Sequence, residues 1–401
     1  MPITTQEILK NAETIVLKIG SAILCDLQTG AVNQKWLQAF VDDVDELYQQ
    51  GKKIIIVSSG AVALGRNDIG IASDQRPSEI PLELKQAAAS VGQFYLFNAY
   101  FKAFKEHDFT AGQILLTMSE TENWRMHLNA RETITTLLGR GIIPIINEND
   151  TISTGEIRFG DNDKLAVRVA QMVDADAVVL LSTTDGLYRA NPDEDPKAPF
   201  IPLVKTITEN HVNIAGDAVA GLSTGGMKTK IEAAISATHA GIHMIITNGE
   251  ENSALSALCK DKDKKNTLFT AEENVANARK TWIKAHLNPK GSLTIDEGAE
   301  KALDQNNSLL PIGIKSIDGE FDRGDVVLIK NHFEETIGIG IAAFPSNEVF
   351  LIIGRRSEDI PMIIGYAGRT EVIHRNDLVL YDTPLQAIQN EQNLENDTAN
   401  T

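Results

Sequence analysis

The sequence predicts an α/β protein: a largely parallel open sheet sandwiched by helices, with a small β-rich unit at its C-terminal end. Three observations carry that expectation. Short Ile- and Val-rich runs recur along the first two thirds of the chain, stretches with helical apolar spacing lie between them, and the pattern changes near residue 250. Strands that alternate with helices imply parallel neighbours, because a parallel pair needs a crossover and the crossing helices cover both faces of the sheet.

The strands come first. TIVLKIG (14–20), KKIIIVSS (52–59), GQILLT (112–117), GIIPIIN (141–147), DAVVLLS (176–182) and HMIITN (243–248) are each short and bounded by glycine or polar residues. They read as buried strands. Between the first two, Leu37, Phe40, Val41, Val44, Leu47 and Tyr48 follow the i, i+3, i+4, i+7 spacing of a helix with one buried face. Residues 81–107, 123–140 and 227–240 read as further helices. KDKDKKN (260–266) reads as a charged, solvated loop. Beyond it, GIKSIDGEFDRGDVVLIK and EVFLIIGRR read as glycine-punctuated β segments of a small barrel or sandwich. The final LQAIQNEQNLENDTANT is polar and lacks aromatics, which predicts a flexible tail. The division expected is therefore 1–275, 276–385 and a tail at 386–401.

Composition narrows the function classes. A chain of 401 residues exceeds one ordinary core, and 42% apolar with 23% charged residues is a soluble globular balance. A net charge of −18 argues against broad binding to nucleic acid or anionic membrane, although it permits a local basic pocket. Cys25 and Cys259 belong to no CxxC or Cys/His spacing, so neither a disulfide framework nor a zinc site is expected. The opening MPITTQEILK lacks a secretory pattern, and no apolar run approaches the roughly 20 residues of a membrane span. A cytoplasmic protein with no membrane partner is the expectation.

In open parallel sheets, ligands sit beyond the carboxyl ends of the strands. The first such exit is Lys18-Ile19-Gly20-Ser21: a lysine within an Ile/Val strand, followed by a glycine that lets a ligand approach the backbone. Burying that ammonium is costly unless an anion meets it. The second is Ser58-Ser59-Gly60-Ala61, whose small residues can turn N–H groups towards an anion. The fourth is Asn147-Glu148-Asn149-Asp150, with Gly160-Asp161-Asn162-Asp163-Lys164 following a loop. These side chains can accept from an ammonium and donate to a carboxylate, though Asp161 or Asn162 can equally cap the helix that starts near Asp163. The fifth, Ser182-Thr183-Thr184-Asp185-Gly186, suits a nucleotide or a plain turn. GLSTGGMKTK (221–230) misses the P-loop pattern by one position, with Met227 where that loop needs lysine. Gly225 and Gly226 instead lead directly into a helix N-terminus, an anion site to which Lys228 and Lys230 add charge.

These segments, in this order, resemble the glutamate 5-kinases of the amino acid kinase family, in their long form with a C-terminal PUA domain. VLKIGSAIL, IIIVSSGAVALG, INEND with GDNDKLA, LLSTTDGLY and GLSTGGMKTK carry the resemblance, together with SLLPIGIKSIDGEFDRGDVV, RRSEDI and EVIHRNDLVL. The resemblance implies that Lys18 and Lys230 contact the transferred phosphoryl group and that Asp163 holds the two lysines. It implies that Ser59, Asp150 and Asn162 bind L-glutamate. ATP would meet Lys18, Gly20, Ser182, Thr183 and the loop Thr224, Gly225, Gly226, Met227, Lys228, Thr229 and Lys230. Thr183 stands where the family often has aspartate. Further implications are Mg²⁺ as cofactor, proline as feedback inhibitor, a homo-oligomer (dimer or tetramer) and the first step of proline biosynthesis.

The chemistry is consistent with that pattern. A glutamate carboxylate is already ionised at neutral pH, so its attack on a γ-phosphate needs no general base and no catalytic His. Charge neutralisation and in-line positioning are what the reaction requires, and two lysines with the N–H groups of Gly20, Gly60 and Gly226 are candidates for both. The rivals are acetylglutamate, aspartate and uridylate kinases, and an RNA-binding role for the PUA domain. Against RNA, residues 290–380 carry nine Lys/Arg and fifteen Asp/Glu, a net charge of −6.

Overall fold

The computed structural model describes residues 3–26, 29–72, 75, 79–117, 124–153, 162–192, 195–216, 226–272, 289–305, 307–365 and 369–381. The chain divides into two compact units, Met1–Val275 and Ala276–Thr401.

The first unit is built on eight strands: β1 (Thr14–Ile19), β2 (Lys53–Val57), β3 (Thr110–Leu116), β4 (Ile142–Glu148), β5 (Ala177–Ser182), β6 (Leu203–Val204), β7 (His243–Asn248) and β8 (Asn266–Phe269). They lie in the order β6-β8-β7-β5-β1-β2-β4-β3. β1 pairs in parallel with both β2 and β5, so the strand order reverses beside β1. In open parallel sheets ligands sit beyond the carboxyl ends of the strands at such a reversal, which here is the end of β1. All six strands expected from the sequence are present and mutually parallel. The sequence reading missed β6 and β8. β8 begins at Asn266, where the charged loop ends, and runs antiparallel to β7. At four residues it is too short to show a pattern of its own, and its apolar Leu268 and Phe269 are buried only once it pairs.

Strand periodicity then assigns the helices. Ile15, Leu17 and Ile19 of β1 pack on one face with α2 (Gln34–Gln49) and α4 (Leu82–Lys105), as do Ile54, Ile56, Val179 and Leu181. Val16, Ile55, Val57, Val178 and Leu180 pack on the other, against α6 (Asn162–Met172) and α8 (Met227–His239). Lys18 shares the parity of Val16, so its side chain goes to the α6–α8 face. The remaining helices of the unit are α1 (Thr5–Asn11), α3 (Ala61–Gly65), α5 (Trp124–Gly139), α7 (Glu209–Gly216) and α9 (Ala254–Lys260).

Short α3 follows β2 and presses on α4 through two glycines. A Cβ at Gly92 would collide with the Ala61 carbonyl, and one at Gly65 with the Ala88 carbonyl. Gly60, at the start of α3, has φ 112°, which glycine alone adopts readily, and a Cβ there would meet Cys25 Sγ at 2.6 Å.

The second unit holds a five-stranded mixed sheet in the order β10-β9-β11-β12-β13. Its strands are β9 (Gly291–Ile295), β10 (Ile314–Asp318), β11 (Val326–Lys330), β12 (Thr336–Ile341) and β13 (Leu378–Leu380). Leu293, Ile329, Phe344 and Val372 fill its core, with α10 (Glu297–Asp304), α11 (Ser346–Ile352) and α12 (Ile360–Ile364) in the same unit. One expectation fails here. EVFLIIGRR is not a β segment, because its first part is α11. Pro345 at the N-cap fixes the entry, and Val349 and Ile352, three apart, face the core. Phe350 and Leu351 remain exposed, so the run from Val349 to Ile352 is apolar on every side of the helix and hides its one-sided burial from a periodicity reading. The tail expected at 386–401 lies outside the described residues.

Candidate active site

Three helical or strand elements bring Lys18, Asp163 and Lys230 together past the end of β1. Asp163 is in the first turn of α6, on the inward stripe that continues through Ala166, Val167 and Ala170. Lys230 lies on the inward stripe of α8 with Ala234 and Ala237. Lys18 Nζ is 2.6 Å from Asp163 Oδ1, and Lys230 Nζ donates to Asp163 Oδ2 at 2.9 Å. All three are buried; Asp163 is fully so. Burial alone would raise the Asp163 carboxyl, but the charges and hydrogen bonds of the two lysines overcome it and hold the group below its usual range. Burial pushes the Lys18 ammonium down, Asp163 pulls it back, and the neighbouring Lys230 charge adds to the lowering. A shared carboxylate is thus what keeps two like charges in one buried place. Together the three side chains carry one more positive than negative charge, which suits a transferred phosphoryl group.

Beside this cluster, the ends of β2 and β4 and the start of α6 form a polar array. Asn162 Nδ2 donates to Ser58 O at 2.7 Å, to Ser59 Oγ at 2.8 Å and to Asn147 Oδ1 at 3.0 Å. Asn162 therefore ties the array together. Ser58 Oγ lies 3.0 Å from the Tyr100 hydroxyl. Asp150 follows in the turn after β4. Burial, then the charge of Glu148, raises its carboxyl to about 7. An acid held in that state gains most from a cation placed beside it.

The nucleotide-side residues are less concentrated. Ser182 ends β5, and its carbonyl accepts from Gly249 N at 2.8 Å; Thr183 is exposed, and its carbonyl accepts from Asn248 Nδ2 at 3.4 Å. The Gly20 N–H is not free for an anion, since it donates to Leu181 O at 3.3 Å across the β1–β5 pair. Gly226 precedes α8, and its carbonyl accepts from Thr229 Oγ1 at 2.9 Å. The sequence put Lys228 and Lys230 together at one helix end, but the structure separates them: Lys228 is exposed while Lys230 is buried. Two residues apart on a helix, they cannot share a face. Met227 is half-buried and packs against the α6–α8 core. Thr224, Gly225 and Asp161 lie outside the described residues.

Sequence reasoning singled out Asn147 but missed Gln93 and Tyr100. Gln93 Oε1 accepts from Asn147 Nδ2 at 2.7 Å. A signal was present: Ala89, Gln93, Leu96 and Tyr100 fall at i, i+4, i+7 and i+11 on α4, so Gln93 is an amide within an apolar stripe. Among the described residues, no group of three or more His, Cys, Asp or Glu side chains is placed to hold a metal ion, and no helix is long and apolar enough to cross a membrane.

An open α/β sheet whose reversal point gathers two lysines about one aspartate is the layout of a phosphotransferase. The sequence model of the amino acid kinase family matches residues 13–248, and that of the PUA domain matches residues 291–364. Glutamate 5-kinase from Brucella anthropi is 48% identical over 372 residues, covering 93% of this chain and 97% of its own length. Glutamate 5-kinase from Brucella abortus is 47% identical over 372 residues, with the same coverage. Among solved structures, the UMP kinase from Ureaplasma parvum matches at 13% identity and TM-score 0.45, over 64% of this chain and 98% of its own. The chain belongs to the amino acid kinase family and carries a PUA domain after it.

Proposed function

We propose that this chain catalyses the reaction for which its Brucella relatives are named: transfer of the γ-phosphoryl group of ATP to the γ-carboxylate of L-glutamate, giving L-glutamyl 5-phosphate at the first step of proline biosynthesis. The observation that carries it is the buried Lys18–Asp163–Lys230 cluster, set directly beside Asn162, which donates to Ser59 Oγ at 2.8 Å.

Lys18 and Lys230 neutralise charge on the phosphoryl group as it passes between oxygens, with Asp163 holding their spacing. Asp150 and Asn162 offer oxygen acceptors to the α-ammonium of glutamate, and Ser59 offers a hydroxyl. Ser182, Thr183 and the segment from Thr224 to Lys230 take the nucleotide. Mg²⁺ bound with ATP would supply further neutralisation of phosphate charge beside that of Lys18 and Lys230. We assign residues 1–275 to the catalytic domain and 276–385 to the PUA domain with its linker, followed by the tail 386–401. In this reading the enzyme works as a cytoplasmic homo-oligomer, and proline competes at or near the glutamate side of the site.

An acetylglutamate, aspartate or uridylate kinase would share the lysine cluster and differ at the acceptor side. An N-acetyl group calls for an apolar wall where this chain has Asn147, Asp150 and Asn162. The test is ADP release with ATP and Mg²⁺, comparing L-glutamate, N-acetyl-L-glutamate, L-aspartate and UMP. Turnover with glutamate alone is expected; faster turnover with another acceptor overturns the assignment.

A further inference from the structure

The amides of Gln93, Asn147 and Asn162 run in series with a fixed direction. Ser58 O is a backbone carbonyl and can only accept, so the Asn162 atom 2.7 Å from it is the nitrogen. That nitrogen also faces Asn147 Oδ1 at 3.0 Å, which turns the Asn147 nitrogen away from Asn162. There, at 2.7 Å, it meets Gln93 Oε1. The three polarities are therefore linked. Asn162 spends its donors on the protein, and among the described residues no donor takes its Oδ1. An acceptor left over in this way is what an incoming ammonium requires.

We infer that Gln93 is a positioning residue for the acceptor amino acid, acting on Asn162 through Asn147. This rests on the glutamate reading of the site. Asn147 is only 3% exposed, so its donor has no water to turn to. Without the Gln93 oxygen, that buried N–H is relieved by rotation of the Asn147 side chain, which withdraws Oδ1 from Asn162. Gln93 itself is held on a rigid element, since its neighbour Gly92 is locked against the Ala61 carbonyl of α3. Gln93 contributes to binding of the amino acid and leaves the phosphoryl side untouched.

The test is a kinetic cycle on the full chain. Gln93→Met keeps the length of the side chain and removes the acceptor. It is expected to raise the KM for L-glutamate about tenfold, the weight of one net hydrogen bond, and to leave the KM for ATP within about twofold. Gln93→Glu keeps an oxygen at the same reach and should restore the glutamate KM to within about threefold of wild type. In an Asn147→Ala background, Gln93→Met should add nothing, because the path is already cut. Additive effects in that background, an equal rise in the ATP KM, or a Gln93→Glu variant as poor as Gln93→Met each overturn the inference. A wild-type chain that does not turn over glutamate overturns it together with the proposed function, whereas normal wild-type turnover with an unchanged Gln93→Met KM overturns the inference alone.

Discussion

Asp163→Asn isolates the role of the shared carboxylate. The substitution keeps the shape and one acceptor oxygen while removing the charge that Lys18 meets at 2.6 Å and Lys230 at 2.9 Å. Removing one partner of a buried ion pair costs about 3–5 kcal/mol, and the retained amide oxygen places this variant near the lower end. A loss of about 3 kcal/mol lowers the Tm of a unit this size by roughly 6–12 °C. Calorimetry with and without ATP and Mg²⁺ is the assay. Two lysines that have lost their carboxylate gain more from a phosphate, so nucleotide should raise the Tm of the variant by more than that of wild type. Its kcat should still fall by about 10²-fold or more, because the spacing of the lysines is no longer held in the transition state. A Tm within about 1 °C of wild type, with an unchanged nucleotide shift, would show that Asp163 does not hold these charges.

Three further outcomes are expected. Lys230→Ala should lower kcat about 10²-fold with a smaller change in either KM, whereas Lys228→Ala, at an exposed position of the nucleotide segment, should keep kcat within about threefold of wild type and raise the KM for ATP; steady-state kinetics separates the two. Asp150, raised to about 7, holds a proton in the folded state that the unfolded chain releases near its ordinary value of 3.8. It therefore costs stability progressively as pH rises through that window. Asp150→Asn should raise the Tm at pH 8 by about 2–4 °C and by less at pH 5, and should raise the glutamate KM. In wild type, the glutamate KM should fall as pH rises through about 7, with the ionised carboxylate, and a flat profile would exclude Asp150 from ammonium binding. Gly92→Ala drives a Cβ into the Ala61 carbonyl and should cost about 3 kcal/mol by denaturant unfolding, with a lower kcat/KM because α3 carries Ser59 at its entrance.

How much of this was legible in the sequence follows from what each signal depends on. The parallel strands were legible because β1, β2, β4, β5 and β7 are buried on both faces and read as short apolar runs rich in Ile and Val. Lys18 stood out for the same reason, as a charge inside such a run. β8 was illegible because its stability comes from pairing, not from its four residues. α11 was misread because Phe350 and Leu351 are apolar yet exposed. In the site, the meeting of Lys18, Asp163 and Lys230 depended on strand parity and on two helix stripes, which spacing alone can suggest. The difference between Lys228 and Lys230 was likewise one of helical phase. The tie from Gln93 to Asn147 joins residues 54 apart in sequence, and no local pattern announces a hydrogen bond over that distance.

In the proposed reaction the γ-carboxylate of glutamate takes the phosphoryl group directly, between two lysines and without an enzyme base. The most direct measurement is hydroxylamine trapping of the product formed from L-glutamate, ATP and Mg²⁺, with the hydroxamate identified by mass spectrometry. Glutamate γ-hydroxamate formed in step with ADP is the expected product, and its rate should fall about 10²-fold in Lys18→Ala and Lys230→Ala. ADP release without any hydroxamate, or trapping at the α-carboxylate, would contradict it.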